Sequence, residues 1–412
     1  MYFSFSNNCI IQMPELTPDY QYYCEIFKNT PKPFAFTDLD LLNENIRQIL
    51  KRTGSAKKIR VASKSVRCRA VLEHVLAASD QFQGIMSFHP QEAVWLSQQG
   101  FDDILMGYPI WHETDLRAVA EEVKQGKMLV LMIDSPAHVQ RINAIGQAMQ
   151  VALPVCIDID MSSKFPGIHF GVFRSSVHNA TEALEVYEAI EAADFVTLDG
   201  IMGYEAQIAG LGDKIPGQAV KNAMIKLLKK RSIKEIARRR ASVVHALAAQ
   251  GAKLRVVNGG GTGSLESTIQ EEVVTEVTVG SGFYTPGLFD NYSQFSHLPA
   301  AAYAIEVVRQ PLPGMYTCLG GGYVASGAIA KDKQPVPYLP QGFRLTDNEG
   351  TGEVQTPITY QGSETLTYGS PIFLRHSKAG ELCERFNEMH LVSEGKIAGK
   401  EPTFRGEGKC FL

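Results

Sequence analysis

Between residues 60 and 280, short β-branched runs alternate with helix-forming stretches, and this repeat constrains the fold more than any motif does. The spacing predicts strands over 60–65, 83–88, 103–109, 128–133, 154–159, 195–200, 254–258 and 276–280, with helices over 91–99, 113–124, 136–149, 180–192 and 217–250 between them. The last crossover, 261–275, is short. Strands joined by helical crossovers make a parallel sheet, and eight of them are the number that closes a barrel. The alternative is an open doubly wound sheet. It is disfavoured because no GxGxxG follows the first strand and the unit repeats without a topological break.

Beyond Pro299 the texture changes. Gly320-Gly321-Gly322, Pro335-Val336-Pro337 and Gly350-Thr351-Gly352 punctuate short β-prone runs, which reads as a mainly antiparallel β domain. An early run, Pro33-Phe34-Ala35-Phe36-Thr37, belongs by the same logic to that domain, with 38–50 as a helix leading inward. The organisation expected is therefore 1–37 as an N-terminal segment contributing to the β domain, 38–298 as an α/β (β/α)8 TIM-type barrel, and 299–412 as the C-terminal β domain.

Composition excludes several classes. A formal net charge of -4 over 412 residues leaves no electrostatic footprint for nucleic acid. The one basic run, Lys226 to Arg240, reads as the solvated face of a helix. No stretch approaches the ~20 apolar residues of a membrane span, and residues 1–13 make a poor secretory signal. Seven cysteines, odd in number, scattered and never spaced as CxxC, suit neither a disulfide framework nor a structural zinc site. A cytoplasmic protein is expected.

Two features carry chemistry. In Ile59-Arg60-Val61-Ala62-Ser63-Lys64-Ser65 the lysine leaves a buried strand at a low-dielectric mouth, which favours the neutral amine that forms a Schiff base; a solvated strand-end lysine is the alternative. Downstream, Asn258-Gly259-Gly260-Gly261-Thr262-Gly263-Ser264 follows the seventh strand and Gly280-Ser281-Gly282-Phe283-Tyr284 follows the eighth, both at the rim where barrel sites are built. Consecutive glycines let backbone N–H groups crowd round a phosphate. A phosphate cradle facing an amine is what pyridoxal phosphate needs.

With these residues in view the chain resembles the fold-type III pyridoxal-phosphate enzymes, especially the D-threonine aldolase and D-serine dehydratase branch of the alanine racemase-like superfamily. Four stretches carry the likeness in order: Thr37-Asp38-Leu39-Asp40, the Lys64 strand, Gly100-Phe101-Asp102-Asp103-Ile104-Leu105 with Tyr108-Pro109, and Asn258 to Gly263. The likeness spans roughly residues 31–292. It implies Lys64 as the Schiff-base lysine, and Gly259, Gly260, Gly261, Thr262, Gly280 and Ser281 on the phosphate side. Asn258 and Tyr284 at the same turns complete the cofactor-binding set. His169 is the closest match to a family arginine near the cofactor's phenolic oxygen, with Lys164 five residues earlier. Tyr204 is the match for ring contact or proton transfer, ahead of Glu205. His89 ends the second strand at the same rim, either facing the site or starting a helix beside Pro90.

Two departures limit what the resemblance implies. Racemases of this fold carry an arginine for the pyridine nitrogen on the last strand; Thr275-Glu276-Val277-Thr278-Val279 has none, leaving Thr278, then Glu276. The aldolases and dehydratases bind a divalent metal (zinc or manganese) through a His-x-Cys or His-x-Asp pair. Here His376 is followed by Lys378, which cannot ligate, so that Cys383, Glu381 or His390 would have to substitute. His376 with Lys378 would otherwise grip a carboxylate or act as acid and base. The Arg405-Gly406-Glu407-Gly408 turn is a further candidate to reach the site of a neighbouring subunit. The implied activity is a lyase for a small β-hydroxy D-amino acid, by retro-aldol cleavage or by loss of water and deamination, in a homodimer. The alternatives are an amino-acid racemase, with Tyr204 or a β-domain residue as second base, a non-catalytic pyridoxal-phosphate carrier, and a cofactor-free lysine enzyme acting on a sugar or keto acid.

Overall fold

A computed structural model describes residues 18–328 and 330–412; residues 1–13 and Cys9 lie outside the described residues. Eight parallel strands close into a barrel: Lys58–Ala62, Phe82–Ser87, Ile104–Pro109, Leu129–Ile133, Leu153–Asp158, Val196–Gly203, Val256–Gly259 and Glu276–Val279. The last strand pairs with the first, Val279 opposite Val61, which settles barrel against open sheet. Six helices, Arg69–Ala77, Pro90–Gln98, Glu113–Lys124, Pro136–Met149, Ala180–Glu191 and Ala219–Ala249, form the crossovers, and the seventh is only Leu265–Thr268. Helix starts follow local chemistry. Asp38 accepts the N–H groups of Asp40 and Leu41 at the head of Leu39–Thr53, and Ser135 caps Pro136–Met149.

Alternation of side chains along each strand divides two interiors. Ile59 and Val61 are fully buried between barrel and helices, each worth ~1.5–3 kcal/mol of apolar burial. Arg60 between them turns into the barrel and is equally buried. A guanidinium survives there only because its charge and donors are met. Glu276 accepts Nε–H and an Nη–H at 2.6 and 3.0 Å, and the Asp103 carbonyl accepts another at 2.6 Å. Toward the strand C-termini the filling becomes apolar: Leu105, Val130, Met132, Cys156 and Met202, with Met86 against them. This layer is the floor on which the site rests.

The second sheet is mainly antiparallel. Its strand Phe34–Asp38 runs antiparallel to Ala301–Leu312 and parallel to Glu388–Ser393, so segments from both ends of the chain meet there. Two loops tie this sheet over the barrel mouth: Gly287 N–H donates to the His376 carbonyl at 2.9 Å and Leu288 N–H to that of Ser377 at 3.0 Å.

The basic run is only in part a solvated face. Lys226, Lys230, Arg231, Lys234 and Arg238 are exposed, but Lys229 and Arg240 on the same helix are buried. Lys229 faces Asp213 at 3.5 Å and Arg240 meets Glu205 at 3.0 Å. No described helix is long and apolar enough to cross a membrane.

Candidate active site

The strand Lys58–Ala62 ends in one turn of 3-10 helix, Ser63–Ser65, which turns Lys64 into a cavity of about 240 Å³ at the C-terminal mouth of the barrel. Among the residues named from sequence, Lys64, Tyr204, Asn258, Gly260, Gly261, Thr262, Thr278, Gly280 and Ser281 line this one cavity. No Asp or Glu lines it.

The two glycine turns face each other across the mouth. Gly260 has φ +81°, a left-handed conformation open to glycine at little cost. At Gly280 a side chain would come within 2.8 Å of Ala62 and Ser65, so glycine is needed for the close approach to the Lys64 turn. The turns are also joined, Gly282 N–H donating to Thr262 Oγ1 at 3.1 Å and the Ser65 and Ser281 hydroxyls lying 3.1 Å apart. The N–H groups of Thr262, Gly263 and Ser281 have no protein acceptor among the described residues. Gly260 N–H, by contrast, is taken by Glu205 at 3.2 Å.

Glu205 is the girder of the first turn. Fully buried, it accepts the Ser264 hydroxyl at 3.0 Å, the Thr268 hydroxyl and the Gly260 amide, and is balanced by Arg240. It lies beneath the turn and does not line the cavity. Gly259 is also behind it, where a Cβ would stand 3.1 Å from the Arg240 guanidinium.

On the floor, Asn258 Nδ2 donates to Glu276 at 2.8 Å and to Thr278 Oγ1 at 2.9 Å, linking the cavity to the Arg60–Glu276 pair. The Tyr204 hydroxyl is pushed up to about 12, first by burial and then by Glu205.

His169 is elsewhere. It lies in the hairpin Ser163–Phe165 and Ile168–Phe170, its ring stacked on Phe173 at 4.0 Å. Arg174, five residues on, enters the cavity instead, its guanidinium 5.0 Å from the Tyr108 ring and 5.8 Å from that of Tyr204. Its Nε–H donates to Asp158 Oδ2 at 2.8 Å. Burial works to raise the Tyr108 hydroxyl, yet Lys64 and Arg174 beside it hold it below its ordinary value. Asp158 shows the opposite balance. Burial pushes its carboxyl up to about 7 in spite of Arg174. The folded state thus holds this proton more tightly than the unfolded chain does. The contribution to stability is full below the ordinary carboxylate value and is lost as pH rises through about 7.

The expected metal residues do not form a centre. His376 Nε2 is hydrogen-bonded to the Ala379 carbonyl at 2.6 Å, and burial lowers this imidazole to about 4. The Cys383 thiol lies 3.2 Å from the Val66 carbonyl and is pushed up by burial. Among the described residues no three His, Cys, Asp or Glu side chains group as a metal site. Tyr284, fully buried, donates to the same Val66 carbonyl and does not reach the cavity. The residues sequence reasoning missed or underused are Arg174, Tyr108 and Lys378, all lining the cavity.

The family model of the alanine racemase N-terminal domain matches residues 37–286, from the first strand of the second sheet to beyond the second glycine turn. The chain belongs to that family. Its members are fold-type III pyridoxal-phosphate enzymes. A 3-hydroxy-D-aspartate aldolase of Paracoccus denitrificans is 24% identical over 253 residues, a match spanning 60% of this chain and 59% of that one. The chain therefore matches about three fifths of that relative's length. Among solved structures, the D-threonine aldolase of Filomicrobium marinum superposes with a TM-score of 0.76 at 17% identity, covering 90% of this chain and 94% of its own. The D-threo-3-hydroxyaspartate dehydratase of Delftia sp. HT23 gives 0.71 at 20%, covering 93% and 99%. The alanine racemase of Clostridium difficile 630 gives 0.63 at 14%, covering 91% and 99%. These likenesses establish a shared fold of barrel and β domain.

Proposed function

We propose that the protein is a pyridoxal-phosphate-dependent lyase for a small β-hydroxy amino acid of D configuration. The carrying observation is that one cavity, without a lining carboxylate, gathers Lys64, two glycine turns with uncommitted amides, and the Tyr108–Arg174 pair. Such a set fits the cofactor's chemistry. Thr262, Gly263 and Ser281 offer N–H groups to a phosphate, Lys64 an amine to an aldehyde, and Arg174 a cation to a phenolate. Thr278, held by Asn258 Nδ2 at 2.9 Å, offers a hydroxyl to the ring nitrogen. Three of the four relatives named above are an aldolase or dehydratase for D-threonine or 3-hydroxyaspartate, which supports a β-hydroxy substrate.

Pyridoxal phosphate supplies an electron sink for charge that develops at the substrate's α-carbon. Lys64 would hold the cofactor through Nζ, and as a free amine at that place Nζ would take a proton, from the β-hydroxyl in aldol cleavage or from the α-carbon in loss of water. Arg174 and Tyr108 keep negative charge at the phenolic side in place. Leu288 and Phe289, on the loop tied to the β domain, exclude water. The racemase alternative needs a second base; Tyr204, held near 12, is suited to keeping its proton. A homodimer in the cytoplasm belongs to the same proposal, with Phe173, 91% exposed at the hairpin end, as a candidate contact.

The test incubates cofactor-loaded protein with D- and L-threonine and D-serine, with and without chelator. Glycine from D-threonine marks the aldolase and keto acid the dehydratase; the opposite enantiomer as sole product would overturn the lyase reading. Because the Cys383 thiol faces the Val66 carbonyl and is pushed up by burial, and Lys378 beside His376 cannot ligate, chelator is expected to leave the rate unchanged.

The Asp158–Arg174 pair predicts the pH profile. As pH falls through about 7, Asp158 takes a proton and its hold on Arg174 weakens. An acidic limb near pH 7 in kcat/KM follows. Asp158→Asn is expected to remove that limb and to lower the plateau about tenfold to a hundredfold, the worth of one charge-assisted hydrogen bond.

A further inference from the structure

Three cationic side chains line the cavity: Lys64, Arg174 and Lys378. Two have evident work. Lys64 ends the first barrel strand, where the lyase reading uses it as an amine, and Arg174 is paired with Asp158 at 2.8 Å. Lys378 is different. It comes from the β domain, and no described carboxylate lies within ion-pair distance of it. Its Nζ reaches only Ser326, the carbonyl and the hydroxyl both at 3.3 Å, beyond the usual hydrogen-bond range. Glu381, three residues along, is itself taken up by the Ser326 amide at 2.9 Å and by the Ser326 hydroxyl.

The loop around Lys378 is built to hold it there. His376 Nε2 bonds the Ala379 carbonyl, Ala379 adopts φ +47°, and the His376 and Ser377 carbonyls accept amides from the loop bearing Leu288. Gly380 is seated on the Lys64 turn, where a Cβ would be 2.9 Å from the Lys64 carbonyl oxygen. An ammonium has three donors, and this one is held at the cover of a cavity that no Asp or Glu lines.

We propose that Lys378 binds a second carboxylate of the substrate, carried beyond the α-carbon, and so selects dicarboxylic β-hydroxy amino acids over those ending in a methyl group. This rests on the lyase reading for its substrate, and extends it to the substrate class. Lys378 does so by direct charge, with His376 as the residue that positions its loop.

Two measurements on the cofactor-loaded enzyme test it. The first compares kcat/KM for D-threo-3-hydroxyaspartate and D-threonine. The wild type favours the dicarboxylate, and Lys378→Met lowers that preference about tenfold to a hundredfold, the range of one hydrogen bond to a charged group. Lys378→Arg restores most of it, which a merely structural role would not require. The second needs no turnover: calorimetric titration with succinate and with butyrate, equal in length and differing by one carboxylate. Succinate is expected to bind about tenfold tighter to the wild type and no tighter to Lys378→Met.

Equal binding of the two acids by the wild type overturns the proposal, as does a preference that Lys378→Met leaves intact. If D-threonine is cleaved but the selectivity ratio is unmoved, the lyase reading stands and the Lys378 assignment falls. If neither amino acid is turned over while the Lys378-dependent preference for succinate holds, the anion site stands and the lyase reading falls.

Discussion

Lys64→Ala is expected to lower kcat/KM by ~10⁴-fold or more, because the variant loses both the group that carries the cofactor and the base that the substrate sets free. The fold should survive. Lys64 sits on a single 3-10 turn, half open to the cavity, and its amine has the Tyr108 hydroxyl as neighbour and makes no described ion pair. Far-ultraviolet circular dichroism therefore stays at wild-type values while the visible band of the covalently held cofactor disappears. The glycine turns remain, so pyridoxal phosphate still binds, more weakly and reversibly. Lys64→Arg separates charge from nucleophile: it keeps the cation and is expected to recover none of the activity. Activity in either variant within a hundredfold of wild type would contradict the assignment.

The second large effect lies at a residue that never meets the substrate. Glu205→Ala leaves Arg240 with Glu271 as its one carboxylate beside the Gly203 carbonyl, and takes the carboxylate acceptor from Gly260 N–H and from the Ser264 and Thr268 hydroxyls, all in the interior. Removing one partner of a buried pair costs ~3–5 kcal/mol. The thermal midpoint should fall by several degrees, and because the same acceptors shape the turn at 259–264, cofactor affinity should fall with it. Glu205→Gln retains an acceptor for the turn but not the charge for Arg240, and should lie between the two. If Glu205→Ala melts with the wild type, the buried pair is not what holds the turn.

How far the sequence foretold this molecule depends on the range of the forces involved. The barrel was legible because strand and helix periodicities are local, and each of its strands falls within a few residues of an apolar run such as 128–133 or 276–280. The glycine turns and Lys64 were legible for a similar reason: a turn that must bring amides together needs glycine in consecutive positions. Arg174 was not. It lies 16 residues past Asp158, its ion-pair partner, with a two-stranded hairpin between them, and His169 is the nearer match by spacing alone. Only the fold of that hairpin turns the imidazole onto Phe173 and sends the guanidinium inward. Arg240 failed for another reason. Within Arg238-Arg239-Arg240, composition cannot tell the exposed residue from the buried one, which is distinguished by Glu205 and Glu271 against it in the fold. Lys378 was visible as a departure from a metal-binding pattern, but its lack of an anionic partner is a property of three dimensions.

Lys64 is the proposed amine through which this chain holds pyridoxal phosphate. Borohydride reduction of the cofactor-loaded protein, followed by protease digestion and mass spectrometry of the lysine peptides, tests it most directly. The expected result is one pyridoxyl modification, on the peptide containing Ser63-Lys64-Ser65. Modification of Lys378 or another lysine in its place, or no modified peptide from a protein that carries the visible band, would contradict it.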